Sequence, residues 1–373
     1  MASPSSLLST VAVVGGGVIG LSCAWRAASA GFAVTVHDPA PGSGASRVAG
    51  GMLAPVTEAV PVEPEVLALG AASLRRWPAF AAELATAGAD PGLCTRGTLV
   101  VALDPGDRAE LDRIAEQLSR VGRQVEVLSG REVRRVEPSL GPRVCRALSI
   151  PGDLSVDNRA LLNALLLACR SAGVRFRGQR CAELPPADVV VLAAGAHSAA
   201  LHPALAHTIR PVKGEILRLV SRPGTLPPPS RTVRAIVGGR HSYLVPRDGG
   251  RLVLGATQRE VGFDTDVSAG AVRELLTDAE LVLPAIAEYA LEEASAGLRP
   301  GSPDNLPVIG ELEPGVLAAT GHHRHGILLA PLTADAVLAL LQGELVPKEV
   351  RPAAPARLAC GQPVSGDTSH GSY

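Results

Sequence analysis

The feature that most constrains this chain lies within its first forty residues. Thr10 to Val14 is a short, β-branched apolar run that leads directly into Gly15-Gly16-Gly17-Val18-Ile19-Gly20. A helical pattern then continues to Ala30, with Gly31 placed as its stop. Phe32 to Val36 forms a second apolar run, closed by His37-Asp38-Pro39. A strand, a glycine turn, a helix and a second strand within about thirty residues make a βαβ unit. Gly15, Gly17 and Gly20 satisfy G-x-G-x-x-G. The first glycine permits the tight turn, the second admits a pyrophosphate close to the backbone, and the third lets helix and strand pack closely. The pyrophosphate belongs at the helix N-terminus, where free N–H groups and the helix dipole favour negative charge. Asp38 follows Gly20 by 18 residues, where a carboxylate accepts hydrogen bonds from ribose hydroxyls and repels a 2′-phosphate. The unit therefore points to a dinucleotide other than NADP.

The remainder of the chain decides between NAD and FAD. A small NAD dehydrogenase continues with further βαβ crossovers. Here Asp38 leads into a Gly/Ala/Ser/Pro-rich loop over 40–57 and helical patterns around 64–87 and 107–121. A strand at 97–103 lies between those helices. Asp157 is a good N-cap for a helix to Ala172, and a parallel-type strand returns only at Asp188 to Leu192. Strands at 214–220, 231–237, 241–246 and 251–257 then alternate in the manner of an antiparallel sheet. Helices are expected at 268–281 and 284–295, a turn-rich stretch over 297–310, a last helix over 327–342, and a disordered tail beyond Pro347. This interruption of the crossover series fits FAD lying extended through its domain.

Composition excludes other classes. Lys plus Arg number 35 against 36 Asp plus Glu, and only nine aromatic residues are present, so no basic, base-stacking surface for nucleic acid exists. The six cysteines are scattered without a C-x-x-C pair and read as reduced thiols of a cytoplasmic protein. The apolar run from Val11 lacks the cationic flank of a secretory signal, and no uninterrupted stretch of about twenty apolar residues suggests a membrane span.

Taken together, several segments resemble the D-amino-acid-oxidase family of FAD enzymes. They are Val11 to Gly20, the 44–55 loop (GASRVAGGMLAP), Ala194-Gly195 and the 321–331 segment (GHHRHGILLAP). Tyr243-Leu244-Val245-Pro246-Arg247 and the 297–310 stretch narrow the match to the branch that oxidises glycine for thiamine synthesis. The resemblance covers about residues 10–345. It implies an α/β protein in which a Rossmann-like FAD-binding domain (1–79, 145–205 and 296–346) is interleaved with an antiparallel-sheet substrate domain (80–144 and 206–295). It also implies non-covalent FAD, O₂ as acceptor, and a homotetramer with no nucleic-acid or membrane partner.

Carried over by position, Val18 and Ile19 fall at the pyrophosphate turn, and Asp38 and Pro39 at the adenosine ribose. Ala45, Ser46, Gly50, Gly51 and Met52 line the flavin and its ribityl chain. Cys181 is the nearest match for a backbone contact to adenine. His322, His323, Arg324, His325, Gly326, Ile327 and Leu328 approach the pyrimidine edge of the flavin as donors at a helix N-terminus, where they would stabilise an anionic reduced ring. Arg299 is the candidate carboxylate clamp because its planar fork matches a carboxylate bidentately; Tyr243 and Arg324 are further substrate contacts. The histidine cluster at 322–325 lacks a second ligand group and contains a repelling arginine, so no metal site is expected. Amine oxidation by hydride transfer needs no protein nucleophile, since the cofactor carries the hard chemistry and the protein aligns it.

Overall fold

The computed structural model describes residues 9–55, 63–120, 122 and 125–359. Two large sheets organise it. The first has six strands in the spatial order Val308–Glu313, Val316–Thr320, Val189–Leu192, Thr10–Val14, Ala33–His37 and Arg175–Arg177. All neighbours are parallel except the hairpin of the first two. Thr10–Val14 sits inside this sheet, which explains its unbroken apolar run: both of its faces are covered. Val11 and Val13 pack with the helices Val18–Ser29, Asn158–Ser171 and Gly326–Leu341, while Ala12 and Val14 meet Leu205 and Ile209 on the other side.

The second sheet has eight strands in the order Ala290–Gly301, Arg210–Val220, Arg251–Gly255, Arg240–Arg247, Thr232–Val237, Thr98–Ala102, Arg146–Ile150 and Glu126–Ser129. It is antiparallel apart from one parallel pair, Thr98–Ala102 with Thr232–Val237. Its core is a separate cluster around Leu99, Leu217, Leu254 and Leu283. A small three-stranded sheet joins Met52–Leu53, Leu154–Val156 and Leu93–Cys94.

Several expectations change here. The helix expected at 284–295 is a single 3₁₀ turn, Pro284–Glu288, followed by the long strand Ala290–Gly301. Its Ala, Leu and Glu residues favour helix in isolation, but pairing along Arg210–Val220 overrides that preference. Arg299 thus stands on a strand and not in a turn. Arg146–Ile150 and Ala296–Gly301 belong to the eight-stranded sheet, whereas Phe80 and Leu84 of Trp77–Ala87 pack into the core beneath the first sheet.

The chain is also ordered beyond Pro347. Lys348–Ala353 is a 3₁₀ segment whose Val350 and Ala353 are buried against Leu306 and Leu332, and Arg357 pairs with Asp304 at 2.8 Å. Residues 360–373 of the expected tail lie outside the described residues. One stretch, His323–Leu341, is apolar and long enough to cross a membrane, but most of it is buried inside the protein. There it packs on Val18–Ser29 and Pro64–Leu74.

Candidate active site

The edges of the two sheets enclose one cleft of about 1300 Å³. At its first end the glycine turn is built for close approach. Gly15 has φ +109°, and a β-carbon there would lie 2.3 Å from the carbonyl oxygen of Ala193. A β-carbon on Gly20 would lie 1.9 Å from the oxygen of Gly15, so this glycine serves helix–strand packing and stands outside the cleft lining. Gly17 caps the helix Val18–Ser29, whose first turn carries no acidic side chain. The N–H of Val18 donates to Ser46 Oγ at 3.0 Å. The Asp38 carboxylate accepts from the N–H of Gly16 at 2.6 Å and of Ala40 at 2.7 Å, bracing the turn itself, a contact that sequence spacing does not reveal. Pro39 and Cys181 also line this end, beside His197 and Arg180.

The middle of the cleft is walled by Ala45, Ser46, Gly50, Gly51 and Met52. This loop is held by side chains from elsewhere, which sequence reading did not assign. Asn158 Nδ2 donates to the carbonyls of Ser46 and Arg47, each at 2.9 Å. Arg218 donates to Asn158 Oδ1 at 3.1 Å, and Arg247 to the carbonyl of Gly50 at 2.7 Å. Burial lowers the Arg218 pKa to about 10, and the nearby Arg159 and Arg247 charges add to the effect. Arg247 belongs to the Tyr-Leu-Val-Pro-Arg segment, so a signal existed; Asn158 had none beyond following the Asp157 cap, and Arg218 had none.

The third wall is the histidine turn. His322 is buried and its Nε2 lies 3.0 Å from Thr333 Oγ1. His323 takes φ +46°, and its Nε2 is buried without a hydrogen-bond partner among the described residues. Burial first, and neighbouring positive charge second, push the pKa of both down to about 3, so both rings are neutral near pH 7. His322, His323, Arg324, Gly326 and Ile327 line the cleft. His325 and Leu328 do not: their side chains are buried behind the turn, and the Leu328 carbonyl accepts from Ser73 Oγ and Trp77 Nε1. Arg324 is exposed between buried neighbours.

At the far end lie Tyr243 and Arg299, from strands more than fifty residues apart. The Tyr243 ring passes over two glycines. A β-carbon on Gly50 would lie 2.8 Å from the ring, and one on Gly255, its cross-strand neighbour, 2.4 Å from the hydroxyl. The Arg299 guanidinium lies flat over Gly214, where a β-carbon would sit 2.2 Å from Nη1. It donates to the carbonyls of Thr257 at 3.1 Å and Lys213 at 3.4 Å. Arg234, His241 and Gln258 complete this end and were not singled out in the sequence.

The glycine turn at a helix N-terminus, the extended cleft and the arginine at its far end define a dinucleotide-dependent oxidoreductase. The chain belongs to the FAD dependent oxidoreductase (DAO) family, whose model matches residues 10–340. It is 35% identical to the glycine oxidase of Geobacillus kaustophilus over 356 residues, covering 89% of this chain and 92% of that one. It is 37% identical to the putative thiamine biosynthesis oxidoreductase ThiO of Rhizobium etli over 331 residues, covering 88% and 94%. The crystal structure of the Geobacillus glycine oxidase superposes with a TM-score of 0.86, at 32% identity and over 94% of this chain and 99% of that one. FAD also fits what the residues present. Gly15, where no β-carbon fits, leads into a helix whose own first turn carries no acidic side chain. A buried ring nitrogen without a partner among the described residues, His323 Nε2, sits on the cleft wall.

Proposed function

We propose that this enzyme oxidises glycine. Glycine, O₂ and water give glyoxylate, ammonia and hydrogen peroxide, with iminoglycine as the first product, and the imine supplies thiazole synthesis for thiamine. The reading rests above all on Arg299: a guanidinium seated at the far end of the same cleft that carries the dinucleotide turn. The similarity to proteins named glycine oxidase and ThiO supports the substrate and the pathway.

Bound FAD supplies the hydride acceptor and the route to O₂. Val18 and Ile19 hold its pyrophosphate, Asp38 and Pro39 its ribose, and the residue 181 backbone its adenine. The 45–52 loop and the 322–327 turn hold the flavin. Arg299 binds the substrate carboxylate through its fork, and the Tyr243 hydroxyl donates a second hydrogen bond to it. Two anchors on one carboxylate fix the α-carbon relative to the rest of the cleft, which is the orientation such a reaction requires. Arg324, exposed beside the clamp, adds positive potential at the same end. Neutral His322 and His323 leave that field to the arginines.

Sarcosine and D-amino acids are the nearest other substrates. Peroxide formation by the purified protein with glycine, sarcosine and D-alanine is the test. Glycine should be oxidised; flavin-loaded protein inert toward all three overturns the reading. The same reading takes the enzyme to be a cytoplasmic homotetramer, and a monomer by light scattering at micromolar concentration would refute the assembly.

A further inference from the structure

We infer that buried Glu215, acting through Thr257, is the positioning residue for the Arg299 guanidinium, an inference that rests on the carboxylate-clamp reading of Arg299. The seat of the guanidinium is made of backbone. The guanidinium donates to the carbonyls of Lys213 and Thr257, and its floor is Gly214. These belong to different segments, the strand Arg210–Val220 and the chain that follows the strand Arg251–Gly255. The seat keeps its shape only if the two segments keep their spacing.

Backbone hydrogen bonds join the two segments on either side, between Lys213 and Arg259 at 2.8 and 3.0 Å and from the N–H of Thr257 to the Glu215 carbonyl at 3.3 Å. The Glu215 side chain adds a tie directly at Thr257, the residue whose carbonyl receives the guanidinium. The Glu215 carboxylate is wholly buried, next to Gly214 in sequence but outside the cleft lining. One oxygen accepts from Thr257 Oγ1 at 2.7 Å and the other from the N–H of Ser268 at 2.9 Å. The N–H of Glu215 in turn donates to Thr257 Oγ1 at 2.9 Å, so side chain and backbone of one residue grip the same hydroxyl. Behind it, Lys213 Nζ lies 3.8 Å from Glu215 and 2.6 Å from Asp264, and also donates to the carbonyl of Asp266. Burial alone would raise the Glu215 pKa; the hydrogen bonds from Ser268 and Thr257 and the Lys213 charge hold it below the usual range. A fully buried, hydrogen-bonded carboxylate beside a cation costs desolvation that an apolar pair would avoid. Its placement directly behind a substrate-binding arginine gives that cost a purpose, since a clamp is only as precise as the shell that supports it.

Thr257→Val keeps the side-chain shape and removes the hydroxyl's bonds to Glu215 while leaving the backbone bonds in place; Thr257→Ser keeps the hydroxyl. Acetate, a carboxylate without an amine, is the probe, followed by its perturbation of flavin absorbance in the FAD-loaded enzyme. Thr257→Val should retain FAD and bind acetate about five- to tenfold more weakly, the worth of one hydrogen bond. Its KM for glycine should rise by a similar factor with kcat less affected, and Thr257→Ser should recover acetate binding. Glu215→Gln, if it folds, should behave like Thr257→Val. In the Arg299→Ala background Thr257→Val should add nothing, because residues acting as one unit are not additive. If Arg299→Ala weakens acetate binding but Thr257→Val leaves it unchanged, or weakens it equally in both backgrounds, the positioning role is overturned. If Arg299→Ala itself binds acetate normally, the clamp reading fails and this inference falls with it.

Discussion

The two ends of the cleft recognise their ligands by opposite means. At the dinucleotide end the proposed recognition surface is mainly backbone: a turn with φ +109° at Gly15, the helix N-terminus that begins at Gly17, with the Val18 N–H held by Ser46 Oγ, and a carboxylate, Asp38, that braces the turn. At the other end the proposed recognition groups are side chains, Arg299 and Tyr243, and the backbone's role is to make room. Gly214 lies beneath the guanidinium, and Gly50 and Gly255 lie beside the phenol ring. Glycines do the enabling in both places, but at one end they approach the ligand and at the other they admit the residue that approaches it.

Substitutions at the two sets of glycines should therefore separate cofactor binding from substrate binding. The largest effect is expected at Gly15→Ala. A left-handed conformation costs a non-glycine residue about 1–3 kcal/mol, and its β-carbon would also press on the Ala193 carbonyl. The purified variant should lose its flavin on gel filtration; retention of full flavin absorbance would show that the turn is not the pyrophosphate site. Gly255→Ala should do the reverse. Its β-carbon displaces the Tyr243 hydroxyl, so flavin content stays normal while KM for glycine rises roughly tenfold, as for loss of one hydrogen bond to a charged group. Steady-state peroxide assays measure this, and an unchanged KM would remove Tyr243 from the carboxylate contacts.

Asn158→Ala tests the middle of the cleft. It removes the donor to the carbonyls of Ser46 and Arg47, although Arg218 still reaches Arg47 at 3.3 Å. FAD should bind about fivefold more weakly to the apoprotein by fluorescence titration, in line with one or two lost hydrogen bonds. Unaltered affinity would mean that the loop holds its shape without help from the Asn158 side chain.

The last of these predictions concerns pH and stability rather than either ligand. His322 and His323 have folded pKa values near 3, below the value of about 6.5 for an unfolded histidine. The unfolded chain therefore binds protons that the folded chain refuses, so stability is lost as pH falls below about 6.5 and the loss grows until pH approaches 3. Each histidine contributes a slope of up to about 1.4 kcal/mol per pH unit in that window. The melting temperature should drop less steeply between pH 6.5 and 5 in His322→Gln than in the parent protein. Equal slopes would mean that His322 is not buried neutral.

The contrast between the two ends also governs what could be read from the sequence. The βαβ unit at 10–37 was legible because its two strands pair with each other across one short helix and its glycines obey a spacing rule. The 44–55 loop and the 321–331 turn were legible through their resemblance to a family, not through periodicity. The strand Ala290–Gly301 was misread because its Ala, Leu and Glu content favours helix and its partner lies some eighty residues earlier. Arg299 was singled out by its chemistry, but the backbone seat of its guanidinium was not. Lys213, Gly214, Glu215 and Thr257 meet only when distant strands pair, and nothing local marks them. Asn158, Arg218, Arg234 and His241 escaped for the same reason. The order beyond Pro347 was missed because Val350 and Ala353 are two small apolar anchors in a Pro-rich stretch.

The central claim is that Arg299 recognises substrate and not cofactor. Its most direct test is kcat/KM of Arg299→Ala for glycine, alongside flavin content and the rate with methylamine, which has no carboxylate. Loss of a desolvated charge-assisted pair costs about 2–5 kcal/mol, so kcat/KM for glycine should fall on the order of 30- to 4000-fold. Flavin content should stay normal and methylamine should be far less affected. Arg299→Lys should recover little, because an ammonium lacks the fork. An Arg299→Ala enzyme that holds its flavin and oxidises glycine at the parent rate would contradict the claim.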